Sequence, residues 1–401
     1  MSSWLNGYIL VAAAFLIFVV NVGIQSAFGV FFTPMLTDFG WTKALTSGAS
    51  SISWVISGLL GITMGRLSDR YGSRWVVTIS GVLIGLGYFL LSQISDIWQF
   101  FLLYLVIGVG MAGIWVPIVS TIARCFHRKR SKMTAIVLAG GGIGSLIAPP
   151  IANWLISIYD WRTSYIILGT VTLVIIVSGA QFLRIGILKT APRADKQGDS
   201  AQPTLISTGI TLPEATREGQ FWMQLFFMFC MGFCAYAITV HIVPYSLELG
   251  ISPTVAANIL AVVGGAAIFG RMAFGFSANH IGTRQVFIFG FILISASSFW
   301  LLSINSTWQL FAFAALFGFG FGSGVAHSPM VAELYGLRSN GIILGAINIG
   351  YCAGSALGPF AAGWLFDVTG NYTTPFIVCA AMGILGLVLT SLIKVKKKWR
   401  N

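Results

Sequence analysis

Arg271 is the one charged side chain inside the long apolar stretches of this chain, and no Asp or Glu shares those stretches with it. A guanidinium is a permanent cation with a planar fork of N–H donors that matches a carboxylate. With no acid of its own in a low-dielectric setting, such a residue points to a bound small anion. Polar neighbours at helical spacing extend the pattern. Asn21, Gln25 and Phe28 fall at i, i+4 and i+7, setting amide groups beside a ring. Asn348, Tyr351 and Ser355 share another helical face, where the Tyr351 hydroxyl can meet a carboxylate oxygen, and Trp115 offers an apolar wall. His241 and His327 are the groups within the stretches that titrate near neutral pH, which makes them candidates for carrying a proton. Each has a plainer alternative: Arg271 can stretch its stem to the aqueous boundary, the histidines can be neutral packing residues, and Trp115 can face lipid or core. No Ser, Cys or His stands with an acid as a nucleophile and base would require, so catalysis is not expected. The five cysteines show no metal-ligand spacing, and neither a metal, a cofactor nor a disulfide is expected.

The elements that must position these residues follow from composition. The chain of 401 residues is 56% hydrophobic and only 8% charged, which excludes an ordinary soluble domain. Twelve apolar runs have the length of a membrane-crossing helix: residues 7–36, 44–64, 75–94, 98–123, 133–157, 163–183, 221–247, 253–277, 285–304, 308–332, 341–365 and 372–393, here numbered helix one to helix twelve. Lys and Arg are retained on the cytoplasmic side during insertion. With the N-terminus inside, every loop and tail cation except Lys43 and Arg162 falls on that side, so both termini are expected to be cytoplasmic in a multi-pass plasma-membrane protein. The net charge of +12 then reports topology and contact with anionic membrane lipids, and nucleic-acid binding is not indicated. The first run is too long for a cleaved leader and reads as a retained helix.

The chain repeats at a constant offset of 210 residues: Pro34 and Gly40 recur as Pro244 and Gly250, Gly72 and Arg74 as Gly282 and Arg284, Trp98 as Trp308, and Gly144, Pro149 and Trp154 as Gly354, Pro359 and Trp364. This divides it into an N-terminal six-helix half (1–185), a polar cytoplasmic linker (186–220) with a short amphipathic helix near its end, and a C-terminal six-helix half (221–401). The fold class expected is an all-α membrane protein of two pseudo-symmetric halves. Glycines at helical spacing let such helices approach closely. Gly108, Gly110 and Gly113 match a dinucleotide fingerprint but lie inside an apolar helix without the strand that motif needs, so nucleotide binding is not expected.

Two six-helix halves and the loop from Gly65 to Arg74, Gly-Arg-Leu-Ser-Asp-Arg-Tyr-Gly-Ser-Arg, resemble the major facilitator superfamily and its signature loop. That resemblance implies a conformational latch in which Asp69, flanked by Arg70 and Arg74, engages the N-terminus of helix eleven and a basic residue near helix four, here Arg124. The second copy of the loop carries Asn279 in place of the acid, so a latch there should be weaker. A narrower resemblance is to the monocarboxylate transporter and oxalate:formate antiporter branch. It is carried by Gly270-Arg271-Met272-Ala273-Phe274-Gly275 in helix eight, and by Cys125-Phe126-His127-Arg128-Lys129-Arg130 with the glycine-rich segment 139–144 of helix five. It implies that Arg271 holds the substrate carboxylate. The chain departs from the proton-coupled members at Ala267, Ser26 and Asn6, which stand where they carry an Asp, a Lys and an acid. It departs from the oxalate exchangers at Tyr351, which replaces a second cation.

The function expected is secondary active transport of small organic monocarboxylates, lactate- or pyruvate-like, by alternating access, with proton symport through a histidine as an open possibility. The alternatives are a carboxylate exchanger without proton coupling and a facilitator of neutral solutes or drugs, in which Arg271 would only position helices.

Overall fold

The computed structural model describes residues 2–126, 130–187, 209–304, 306–336 and 339–394. The apolar runs become long helices because a backbone in hydrocarbon must satisfy its polar groups internally. Helix one is Ser2–Ser26 continued by Phe28–Phe39, and helices two to six are Lys43–Tyr71, Ser73–Leu90, Ile97–Cys125, Arg130–Ile158 and Trp161–Ile187. Helices seven to nine are Gly219–Glu248, Pro253–Ile281 and Thr283–Trp300. Helix ten is Thr307–Phe321 followed, after a 3₁₀ segment, by His327–Tyr335, and helices eleven and twelve are Asn340–Thr369 and Thr373–Leu392. The linker helix reduces to the turn Leu212–Ala215, because Gly219 already begins helix seven.

Among the described residues eleven helices, one fewer than the count of runs, are long and apolar enough to cross a membrane. Helix two, with 29 residues, has the length as well. It carries Thr46, Ser47, Ser50, Ser51 and Ser53, all buried in protein. These hydroxyls bond back to their own helix, as in Ser47 to Lys43 O (2.7 Å) and Ser53 to Ser50 O (2.7 Å), so they need no water. Helix two is thus sheltered by protein between helices four and eleven.

The first six helices pack on one another, as do the last six, and the two sets meet through helices one and seven, two and eleven, and five and eight. On the face opposite the basic loops this seam is shut. Asp367, at the end of helix eleven, accepts hydrogen bonds from the first backbone N–H groups of helix two, Lys43 (3.1 Å) and Ala44 (2.7 Å). The one ion pair among the described residues joins Lys43 to Glu248, and the Lys43 ammonium lies 3.2 Å from the centre of the Phe366 ring. Asn153 donates to Thr254 across helices five and eight (3.1 Å). Glycines carry the closure inward. A Cβ at Gly29 would fall 2.8 Å from Thr239 O, one at Gly264 2.6 Å from the Ser145 side chain, and one at Gly58 2.8 Å from Cys352. Towards the basic face the seam parts, and Gly61, Gly341 and Gly345 face open space. The molecule is therefore closed on one face and more loosely packed at these glycines towards the other.

Candidate anion-binding site

Arg271 lies at the inner limit of the closed seam. Just before it, Gly270 and Gly322 let the backbones of helices eight and ten touch, since a Cβ on Gly322 would come 2.6 Å from Gly270 Cα. Helix ten gives up its regular course there and runs as a 3₁₀ segment over Gly322–Ala326. Helix eight continues to Ile281 past the Gly275 where the sequence pattern ends it, so Arg271 sits well inside the helix. Its side chain reaches across the seam to helix five: a Cβ at Gly142 would stand 3.2 Å from Arg271 Nη1 and 3.1 Å from Ile268 Cδ1. Gly142, within the glycine-rich segment of helix five, is the space the guanidinium occupies. Among the described residues no carboxylate lies within ion-pairing distance of Arg271.

Two phenols lie near enough to the guanidinium to interact electrostatically with it, Tyr351 of helix eleven and Tyr236 of helix seven. They come together because helices seven and eleven pack backbone to backbone through glycine. A Cβ at Gly354 would meet Phe233 N at 2.8 Å, and one at Gly232 would meet Ser355 N at 3.0 Å. The Tyr236 and Tyr351 rings stand 6.3 Å apart, edge to face. Trp54 of helix two, from the other side of the seam, lies 4.5 Å from the Tyr236 ring and 6.2 Å from the Tyr351 ring. Trp54 and Tyr236 also line a small chamber. Gln25, Phe28, Ser53, Tyr104 and Tyr236 are among the residues lining that chamber.

Gln25, Phe28 and Trp54 thus meet Tyr236 across the seam. Gln25 Nε2 donates to Asn21 O (3.0 Å), and Asn21 is buried with its own Oδ1 unpartnered among the described residues. Asn348, one turn before Tyr351, directs its amide at Cys352 Sγ (3.7 Å). Trp115 is half exposed, with its ring edge against Phe18 of helix one at 5.3 Å.

His241 is fully buried with both ring nitrogens engaged. Nε2 donates to Pro359 O (3.0 Å), and Nδ1 accepts from the Tyr372 hydroxyl (3.2 Å), the arrangement required because a carbonyl can only accept. His327 begins the second part of helix ten, and its Nε2 is unpartnered among the described residues. Of the loop residues, Arg74 donates to Gln181 of helix six (2.7 Å) and Arg70 lies 5.3 Å from the Tyr71 ring, both within the first six helices. The side chains of Asp69, Arg124 and Asn279, and the whole of His127, Arg128 and Lys129, lie outside the described residues.

Sequence reasoning missed Trp54 and Tyr236, because single aromatic residues in apolar helices carry no signal of their own. It also missed Lys43, Glu248 and Asp367 as partners. The available clue was a lysine at a helix start on a face that, apart from Arg162, otherwise holds acids.

A bundle of long apolar helices in two packed sets, with one cation reaching across the seam between them, is built for moving a small solute rather than for transforming it. The chain belongs to the Major Facilitator Superfamily, whose family model matches residues 14–275 and 242–401. Its relatives include monocarboxylate transporters. It is 25% identical to monocarboxylate transporter 12 of Rattus norvegicus over 98% of this chain and 87% of that one. It is 28% identical to monocarboxylate transporter 2 of Homo sapiens over 95% and 84%. Among solved structures, a bacterial homolog of the human lysosomal transporter Spinster, inward-facing and unoccupied, matches with a TM-score of 0.77 at 16% identity over 96% of each chain. The nucleoside transporter NupG matches with a TM-score of 0.74 at 15% identity over 97% and 100%. These two share the fold. The protein is a multi-pass membrane transporter and not an enzyme.

Proposed function

We propose that this transporter carries small organic monocarboxylates of the lactate and pyruvate type, with Arg271 as the anion site. The observation that carries this reading is the guanidinium reaching across the seam, near two phenols and without a carboxylate among the described residues. A charge at membrane depth costs about 2.5–3.5 kcal/mol even on the lenient insertion scale, and a bidentate carboxylate offsets that cost with charge-assisted hydrogen bonds. One cation favours a monoanion, and the named activity of the curated relatives agrees with that charge. The basic face is the cytoplasmic one by the retention of Lys and Arg there, which puts both termini inside the plasma membrane and makes the present state open to the cytoplasm.

Alternating access follows as a rocking of one half (1–185) against the other (221–401), joined by linker 186–220. Opening outward breaks the Asp367 cap and the Lys43–Glu248 pair, while the Asp69, Arg70, Arg74 and Arg124 latch forms on the cytoplasmic face. Proton symport, where it occurs, runs through His327, because His241 already uses both nitrogens. The test is radiolabelled lactate uptake and counterflow in proteoliposomes with and without an inward proton gradient. Arg271→Ala should abolish both, and His327→Gln should remove the proton stimulation. Uptake unaffected by Arg271→Ala would refute the anion site.

A further inference from the structure

We infer that the small chamber where helices one and two meet helix seven binds a monovalent cation of sodium's size, which travels with the organic anion. Among the described residues its lining holds no carboxylate, lysine or arginine. It holds oxygens whose protons are spent elsewhere. Ser50 and Ser53 donate to the carbonyls of Ser47 (2.8 Å) and Ser50 (2.7 Å), and Thr239 donates to Ala235 O (2.7 Å). A hydroxyl has one proton, so these three keep only lone pairs for a guest. Gln25 turns its amide nitrogen to Asn21 O (3.0 Å), which leaves its Oε1 as a fourth acceptor.

The backbone adds another. Pro244 lies inside helix seven and has no N–H to give to the carbonyl four residues back, Val240 O. Val240 lines the chamber, and its carbonyl oxygen would stand 3.1 Å from a Cβ on Gly29, which lines the same chamber from helix one. The freed carbonyl therefore faces the seam. Outside the aromatic side chains an anion finds no hydroxyl donor here, and a water would leave its own lone pairs unmet. Divalent ions are held through carboxylates. A singly charged ion needs only neutral oxygens, and carbonyls at the junction of two halves are a recurrent way of holding a coupling ion in transporters.

The coupling, though not the site, rests on Arg271 being the anion site. Tyr236 lines the chamber and lies near enough to Arg271 to interact with it electrostatically. An empty guanidinium thus repels the cation, and one carrying a carboxylate does not. Because the oxygens come from helices one and two on one side of the seam and helix seven on the other, the ion also draws the halves together.

The test uses the full-length protein at constant ionic strength in sodium, potassium or choline chloride. Sodium with lactate should raise Tm above the potassium and choline values. In proteoliposomes at equal pH on both sides, an inward sodium gradient should stimulate lactate uptake, and radiolabelled sodium should enter with it. Ser53→Ala deletes one acceptor, and Pro244→Ala supplies an N–H that claims Val240 O. Each should raise the sodium concentration for half-maximal uptake about tenfold, the value of one hydrogen bond to a charged group, and leave the lactate KM at saturating sodium unchanged. Tm in choline shows that each variant is folded. Equal Tm and equal uptake in all three salts would overturn the inference and leave the chamber to water. Sodium stimulation that neither folded variant moves would overturn it as well. Lactate uptake that Arg271→Ala abolishes but sodium leaves unmoved would sink this inference and spare the anion site. A sodium-dependent rise in Tm that both variants weaken, in a protein that carries no lactate, would uphold the cation site and sink the anion reading.

Discussion

Replacing Asp367 by asparagine should loosen the closed face without touching the anion site. The carboxylate accepts from Lys43 N (3.1 Å) and Ala44 N (2.7 Å), two of the four N–H groups that the first turn of any helix leaves unpaired. Thr42 serves a third by accepting from Leu45 N (3.2 Å). Asparagine keeps one carbonyl acceptor, so the substitution removes one hydrogen bond, worth about 0.5–1.5 kcal/mol, and the attraction of a negative charge to the helix N-terminus, worth about 0.3–1 kcal/mol. Asp367 is exposed, which favours the lower end of both ranges. A loss of about 1 kcal/mol on the closed state raises the ratio of open to closed faces about fivefold. Ser47 provides the reporter, because it is fully buried under this contact, where a Cβ on Gly363 would lie 2.6 Å from its Oγ. A Ser47→Cys protein, with the five native cysteines replaced, would be treated with a membrane-impermeant maleimide from that side. Labelling should run about fivefold faster with Asp367→Asn. An unchanged rate would refute the cap as part of the closure. An unchanged rate with Glu248→Gln as well would refute the whole account of how this face is held shut.

Two further outcomes separate the seam from the halves and test a helix cap. Gly264→Ala places a methyl 2.6 Å from the Ser145 side chain across the seam, whereas Gly354→Ala drives one into Phe233 N (2.8 Å) within the last six helices. The first should speed Ser47→Cys labelling with little change in Tm. The second should lower Tm by an overpacking cost of about 1–3 kcal/mol. Asp160 caps helix six by accepting from Thr163 N (2.5 Å), and that backbone bond holds its carboxyl below the usual carboxylate range. A depressed pKa contributes stability that is present above the unfolded carboxylate value and lost as pH falls through the folded one. Asp160→Ala should therefore cost about 1 kcal/mol near neutral pH, and the gap in Tm to wild type should close only at pH values below the ordinary carboxylate range.

Much of this architecture was written along the chain. Hydrophobic length marks each spanning run, the cation distribution orients them, and a constant repeat reveals two halves, because these depend on the solvent around each segment and not on which segment lies beside it. Helix two shows the limit, since its sequence marks a spanning run but does not say that its serines lie against helices four and eleven. Arg271 was legible for a related reason: a charge without an acid in its own surroundings is conspicuous in one dimension. Of its aromatic neighbours only Tyr351 was. Trp54, Tyr236 and Tyr351 come from three helices and meet only because glycines bring helix seven against helix eleven and the seam closes over them. Lys43 finds Glu248 across 205 residues, and its backbone finds Asp367 across 324. Local sequence determined the helices, their polarity and the solitary cation, while tertiary packing alone decided which face is shut and which groups surround that cation. Both of those depend on contacts between distant segments, and hydrophobic periodicity carries no information about them.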